Sequence, residues 1–161
     1  MDDQPATVHM RPFFPSVQDF AEATTPHFAF LVDQFNYVGP SLEEQTPDTF
    51  EIAYYGASTV VLLVWEVAGG FFGCHLVPRL SDGTVQSDDD QWLAPNEILG
   101  ARGERSKWVT QEDFEDVDAA GFARAMQRAA SNLRDYCSDV LRGDWSIYTE
   151  AHAWFEGHPH D

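Results

Sequence analysis

The chain has 161 residues, enough for one domain with a buried core, and 43% of them are hydrophobic, an ordinary share for a folded protein. It carries 27 acidic against 9 basic residues, a formal net charge of −18 at pH 7, and Lys107 is its one lysine. That balance repels phosphate backbones and argues against nucleic-acid binding. Glu66, Gly69, Gly70 and His75 interrupt its most apolar stretch, which argues against a membrane helix.

Residues 1–15 hold three prolines and little periodicity, and are expected to form an extended arm before a single α+β domain over 16–156, with a flexible tail at 157–161. No basic segment followed by an apolar one opens the chain, so no secretion signal is expected. Residues 16–38 read as one or two helical pieces. Thr25 is placed as an N-cap with Pro26 in the first turn. Phe28, Leu31, Val32 and Phe35 then recur at helical spacing as one buried face, and Gly39 with Pro40 stops the helix.

Residues 49–78 read as an antiparallel meander of three to four strands. Phe50, Ile52 and Tyr54 alternate onto one side. The run at 58–67 is nearly continuous in β-branched and aromatic residues, as in a strand covered on both faces, with Trp65 in the core. Ala68, Gly69 and Gly70 turn the chain, residues 71–77 return, and Pro78 ends the sheet. Cys74 and His75, as strand neighbours, point to opposite sides and cannot form a thiolate–imidazolium pair. Cys74 and Cys137 sit in apolar settings without CxxC spacing and read as buried thiols of a reducing, cytoplasmic compartment.

Residues 79–110 form a long connection, with one short helix near 96–101 capped by Asn96, and connections of that length are often functional. Phe122, Met126, Ala129, Leu133, Cys137 and Val140 then trace a single helical stripe, with Asp118 as N-cap and Gly143 as C′ residue. Arg142, Gly143 and Asp144 are thus a helix end rather than an adhesion tripeptide. A short last helix spans 145–155. The layout is α+β, an antiparallel sheet packed against an N-terminal helix and C-terminal helices.

Phe30, Leu31, Asp33, Phe35 and Tyr37, together with Leu141, Arg142, Gly143, Asp144, Trp145 and Tyr148, resemble a pattern of small acidic bacterial α+β proteins. That pattern has an FL-x-[DE]-[FY] helix, a meander, and a closing helix ending LLRGD-[FW]-S-x-[FY]. Some of these proteins are similar to immunity proteins encoded beside toxins. The resemblance spans residues 26–80 and 120–150, supplies no catalytic residues, and implies a bacterial setting and a partner-neutralising role.

The acids are clustered. Asp82, Asp88, Asp89 and Asp90 fall within one loop, and Glu112, Asp113, Glu115, Asp116 and Asp118 within seven positions. The first group lacks the ligand spacing, glycine and glutamate of an EF-hand, and consecutive Asp88, Asp89 and Asp90 are expected to diverge, so no metal site is expected. In the second group Thr110 with Asp113 resembles a capping box, which accounts for one or two acids and leaves an excess. His152, His158 and His160, near Glu150, Glu156 and Asp161, suit adventitious rather than designed metal binding. There is no GxSxG elbow, P-loop or GxGxxG.

Trp92 and Trp108 flank the loop as aromatic anchors in a charged rim, or as residues packing the loop on the sheet. The leading expectation is a non-enzymatic module with no cofactor. Asp82, Asp88, Asp89, Asp90, Glu112, Asp113, Glu115 and Asp116 would meet a basic protein partner, such as a nuclease toxin, by charge mimicry, while Trp92 or Trp108 buries apolar area. One alternative is a ligand-binding protein or hydrolase-like enzyme using a pocket on the sheet near Tyr54, Tyr55 and His75. Another is an acidic accessory protein whose charge serves solubility alone.

Overall fold

The structure, a computed structural model, describes residues 14–115 and 117–158. It is an α+β fold built on one antiparallel sheet of order β1-β2-β3-β4, formed by β1 (Val38–Thr46), β2 (Thr49–Tyr55), β3 (Thr59–Glu66) and β4 (Phe71–Pro78). Helices α1 (Val17–Thr24) and α2 (Phe30–Asp33) precede it; α3 (Pro95–Ala101), α4 (Ala119–Tyr136), α5 (Ser138–Leu141) and α6 (Tyr148–Gly157) follow. Among the described residues no helix is long and apolar enough to cross a membrane.

Period-two alternation sorts the sheet into two faces. Phe50, Ile52, Tyr54, Val61, Leu63, Trp65, Phe72 and Leu76 turn toward the helices and form the main core with Phe28, Leu31, Phe114, Phe122 and Leu133. Ala53, Val60, Leu62 and Val77 turn the other way, where Tyr55, Val85 and Trp92 pack against them. The loop after β4 therefore covers the second face, and β3 is buried on both sides over most of its length, as its composition demands. Phe14 seats its ring 5.1 Å from Phe122 and 5.5 Å from Trp65, so the end of the expected arm belongs to the core; residues 1–13 lie outside the described residues.

The long stripe holds: Phe122, Met126, Ala129, Leu133, Cys137 and Val140 are all buried. Asp118 caps α4 by accepting the Gly121 N–H at 2.8 Å. The helix breaks at Cys137 and resumes as α5, without turning the stripe away from the sheet. Gly143 has φ +93, the left-handed residue expected after the last turn, and a side chain there would meet Ser58 at 2.9 Å.

Other expectations are corrected. Residues Thr25–Phe28 form a 3₁₀ turn, so Thr25 lies inside it and its hydroxyl donates back to Ala21 O at 2.8 Å. A tighter turn moves the apolar face round: Phe28, Phe30 and Leu31 are buried, whereas Val32 is 39% exposed. Asn36, at φ 59, rather than Gly39 and Pro40, ends the helical region, and the Tyr37 N–H closes onto Leu31 O. The chain then enters β1, a strand absent from the expectation because nearly all of it is exposed and no apolar alternation marks it. Its acids Glu43 and Glu44 suit an outer strand that must not recruit others. In α3 the N-cap is Ala94, and Asn96 lies within the helix. The last helix begins at Tyr148 and runs to Gly157.

Candidate functional site

A concave region lies along the outer edge of β4. Leu93 pairs with Leu76 there, its N–H and C=O bonded to Leu76 at 3.0 and 2.7 Å, before Pro95 turns the chain into α3. Beyond that bridge a cleft of about 520 Å³ opens, bounded by His75, Asp89, Trp92, Glu97, Trp108 and Trp154. A second hollow of about 300 Å³ continues along β4 from His75 to Phe71, facing Thr110 and Gln111. His75, Ala94, Asn96 and Trp108 line both.

Each wall is held by a neighbour. Trp92 donates its indole N–H to Gln86 O at 2.9 Å and sits 5.5 Å from the His75 ring. Trp108 stands edge-on to Trp154, centroids 5.4 Å apart. Its backbone is clasped on both sides. Asn132 donates to Lys107 O at 2.7 Å, Arg128 to Trp108 O at 2.8 Å, and Asn96 donates to Val109 O at 2.8 Å while accepting from Val109 N at 3.4 Å. A side chain presented from so fixed a segment loses little freedom on binding. Trp154 reaches the cleft because α6 lies directly on α3: a Cβ at Gly100 would come within 2.5 Å of its indole. His158 stacks on the Trp154 ring at 4.3 Å.

The polar groups are tuned by burial. Desolvation lowers the His75 pKa, opposed by the negative charge of Asp89, so the imidazole favours its neutral form. Burial also raises the Glu97 carboxyl, opposed by the Ala94 N–H, which its Oε2 accepts at 2.7 Å, and by His152. Cys74, behind the strand in the helix-side core, has its thiol pushed up to about 12 by burial, and His75 lies on the opposite face as expected. Among the described residues four buried side-chain atoms have no hydrogen-bond partner: Trp108 Nε1 and Gln111 Oε1, which border the hollows, and Thr24 Oγ1 and His152 Nδ1, whose residues line neither. Gln111 spends its amide nitrogen on Gly70 O at 2.7 Å.

The residues anticipated from sequence divide between two places. Asp88, Asp89 and Asp90 are exposed on the loop over the second face, on a 3₁₀ turn where Asp88 accepts from Asp90 N at 3.1 Å. That turn brings their carboxylates within 4.8 Å of one another, correcting the expected divergence, because a 3₁₀ turn does not alternate side chains as a strand does. Tyr148 ties this loop to α6 by donating to Asp90 O at 2.6 Å. Asp82 is exposed, its carboxyl held below the usual range by the Thr84 N–H. Trp92 and Asp89 join Trp108 at the cleft.

Glu112 and Asp113 lie on a 3₁₀ turn, and Glu115 follows it. Phe114, from the same turn, enters the helix-side core, so this acidic run sits on the other side of the sheet from Asp82 and Asp88. Asp113 accepts from Thr110 N at 2.7 Å, completing the expected cap, and pairs with Arg128 at 3.1 Å. Glu112 and Glu115 are exposed; Asp116 lies outside the described residues. Tyr54 is buried on the helix side and cannot share a pocket with His75, while Tyr55 is covered by Arg79 at 5.6 Å.

The sequence reading missed Trp154, Glu97 and Asn96 as cleft residues. Their signal was the helix spacing of Asn96, Glu97 and Gly100, which becomes informative only once α6 is known to lie on α3. No family model, curated protein or solved structure matches the chain, so the functional reading rests on this geometry.

Proposed function

We propose that this chain is a non-enzymatic binding protein that receives a cationic group of a basic protein partner in the cleft beside β4. The observation that carries this is one lining: the indoles of Trp92, Trp108 and Trp154 and the carboxylates of Asp89 and Glu97 surround a single cavity. Aromatic faces attract cations through their quadrupole, at about 0.5–2 kcal/mol each depending on desolvation, and nearby carboxylates add charge complementarity. Arg105 already lies 5.2 Å over the Trp108 ring, an internal instance of the same pairing. The net charge of −18 would steer a basic partner toward the site. Covering a partner's cationic surface would neutralise it, in keeping with the resemblance to immunity proteins.

In this reading charge mimicry narrows from two acidic runs to one. Asp89 lines the cleft, Asp88 and Asp90 lie beside it on the same turn and guide encounter, while Glu112 and Glu115 contribute only to the general field. Among the described residues the cleft lining offers no Ser, Thr, Cys or Lys beside His75, which supports recognition over nucleophilic catalysis.

The test is a tryptophan-fluorescence titration with N-acetyl-arginine amide and its neutral isostere N-acetyl-citrulline amide. Saturable quenching by the first, at least tenfold tighter than by the second and weakening as salt rises, is expected. The variant Asp89→Asn/Glu97→Gln should remove most of that preference. Equal binding of the two compounds, or none by either, overturns the proposal.

A further inference from the structure

The register of β4 shows which of its peptide groups are free. The pairing with β3 runs without irregularity from Thr59↔Pro78 to Glu66↔Phe71. Leu76 directs both its N–H and its C=O away from β3, onto Leu93. In an antiparallel ladder such outward residues recur every second position, so Cys74 and Phe72 turn their peptide groups the same way. Leu93 serves Leu76, and Gln111 serves Gly70 further along. Among the described residues nothing bonds the outward N–H and C=O of Cys74 or Phe72. The hollow of about 300 Å³ lies along this gap. Trp108 and Gln111, which also line it, keep Nε1 and Oε1 buried and unpartnered. Buried polar groups in folded proteins are nearly always satisfied, so a run of free donors and acceptors beside a cavity is shaped for an occupant that supplies both.

We infer that the occupant is an extended segment of the basic partner, added as a short fifth strand along Cys74 and Phe72, with one Arg or Lys side chain in the adjoining Trp92–Trp108–Trp154 cleft. This rests on the proposed function and names its ligand: a peptide backbone together with a cation, rather than a free amine. Strand addition places affinity in main-chain bonds and specificity in side-chain pockets. Here the two parts are contiguous, since His75, Asn96 and Trp108 border both hollows. Among the described residues the opposite edge, β1, offers no comparable place, for it is exposed along nearly its whole length and carries Glu43 and Glu44.

The experiment compares four probes on the full chain by calorimetry: N-acetyl-arginine amide, the pentapeptide Ac-TVRVT-NH₂, and two versions of that pentapeptide N-methylated at alternate residues. The pentapeptide should bind at least tenfold tighter than the single amide. One methylation pattern should abolish the gain, because its methyl groups replace the hydrogens facing β4, and the other should leave most of it. In parallel, amide hydrogen exchange at Phe72 and Cys74 should slow at least tenfold on saturation with the pentapeptide.

If the amide binds but the pentapeptide gains nothing, or if both methylation patterns act alike, strand addition is overturned and the cationic cleft stands. If no probe binds, both proposals fall. If Phe72 and Cys74 become protected on raising the protein concentration alone, with sedimentation showing a dimer, the edge belongs to a second copy of the chain and the inference is overturned.

Discussion

Where residues 30–37 meet residues 141–148, polar atoms close on one another. Tyr37 donates its hydroxyl to Leu141 O at 2.8 Å, Thr59 donates to Val140 O at 2.7 Å, and the Trp145 indole donates to the Thr59 oxygen at 3.0 Å. Arg142 lies 4.8 Å over the Phe35 ring. Along the β4 edge, by contrast, Trp108 Nε1 and Gln111 Oε1 have no partner, and the peptide groups of Cys74 and Phe72 face a cavity. Both regions contain tryptophan and histidine or tyrosine beside strand ends and both border a cavity, yet the polar side-chain atoms named in the first are paired and those in the second are not. On the proposed function, the difference separates residues that hold the fold from residues that would receive a ligand. It also explains the motif pair: its positions join the first helices, the sheet and the closing helix at one corner, a structural task.

The comparison breaks most readily at Thr59. Replacing this buried threonine with Val leaves the Trp145 indole unpaired and takes one of two donors from the Val140 carbonyl, which keeps the Gly143 N–H at 2.9 Å, and a loss of about 1–3 kcal/mol is expected in denaturant unfolding. A loss below about 0.5 kcal/mol would mean that the corner is not held by its hydrogen bonds.

A matched pair sharpens the contrast. Trp145→Phe removes a satisfied N–H and should cost about 1 kcal/mol, whereas Trp108→Phe removes an unsatisfied one and should be neutral or slightly stabilising. Equal costs in the two variants would remove the distinction drawn above.

Acid should weaken the edge region through His75. Its folded pKa lies below 6.5, so as pH falls through 6.5 the unfolded chain takes up a proton that the folded one resists, and stability declines toward the folded pKa. Glu97 works in the opposite sense: its folded pKa is raised, so the stability it contributes at low pH is lost as pH rises through that value. Thermal unfolding of His75→Asn across this range should show a flatter acid-side decline than the parent protein, with Asp89 and Glu97 left in place. An unchanged slope would show that the His75 imidazole is solvated.

The smallest effect is expected at Arg128. Its pair with Asp113 is largely exposed, so Arg128→Ala should change stability by less than about 1 kcal/mol. Hydrogen exchange at residues 107–109 should nevertheless quicken, because one clasp on the Trp108 backbone is lost.

Much of the architecture was legible locally. The stripe from Phe122 to Val140, the Asp118 cap, the Gly143 terminus and the two-sided burial of β3 all follow from spacing and side-chain type, because each is decided within a few turns or one strand. The 3₁₀ turn at Thr25–Phe28 and strand β1 were not legible. A 3₁₀ turn and an α-helix share their apolar residues over so short a run, and an exposed outer strand needs no apolar alternation to form.

By itself, then, the sequence determined the α+β class, the core faces and an anionic surface, since composition and period act on neighbouring residues. Only the tertiary structure decided which acids matter together. It placed Asp89 and Glu97 beside Trp92, Trp108 and Trp154, residues up to 65 positions apart in the chain, and sent Glu112 and Glu115 to the other side of the sheet. Convergence of that kind depends on α6 lying on α3 across Gly100 and on where the β4 ladder stops, neither of which leaves a mark in local spacing.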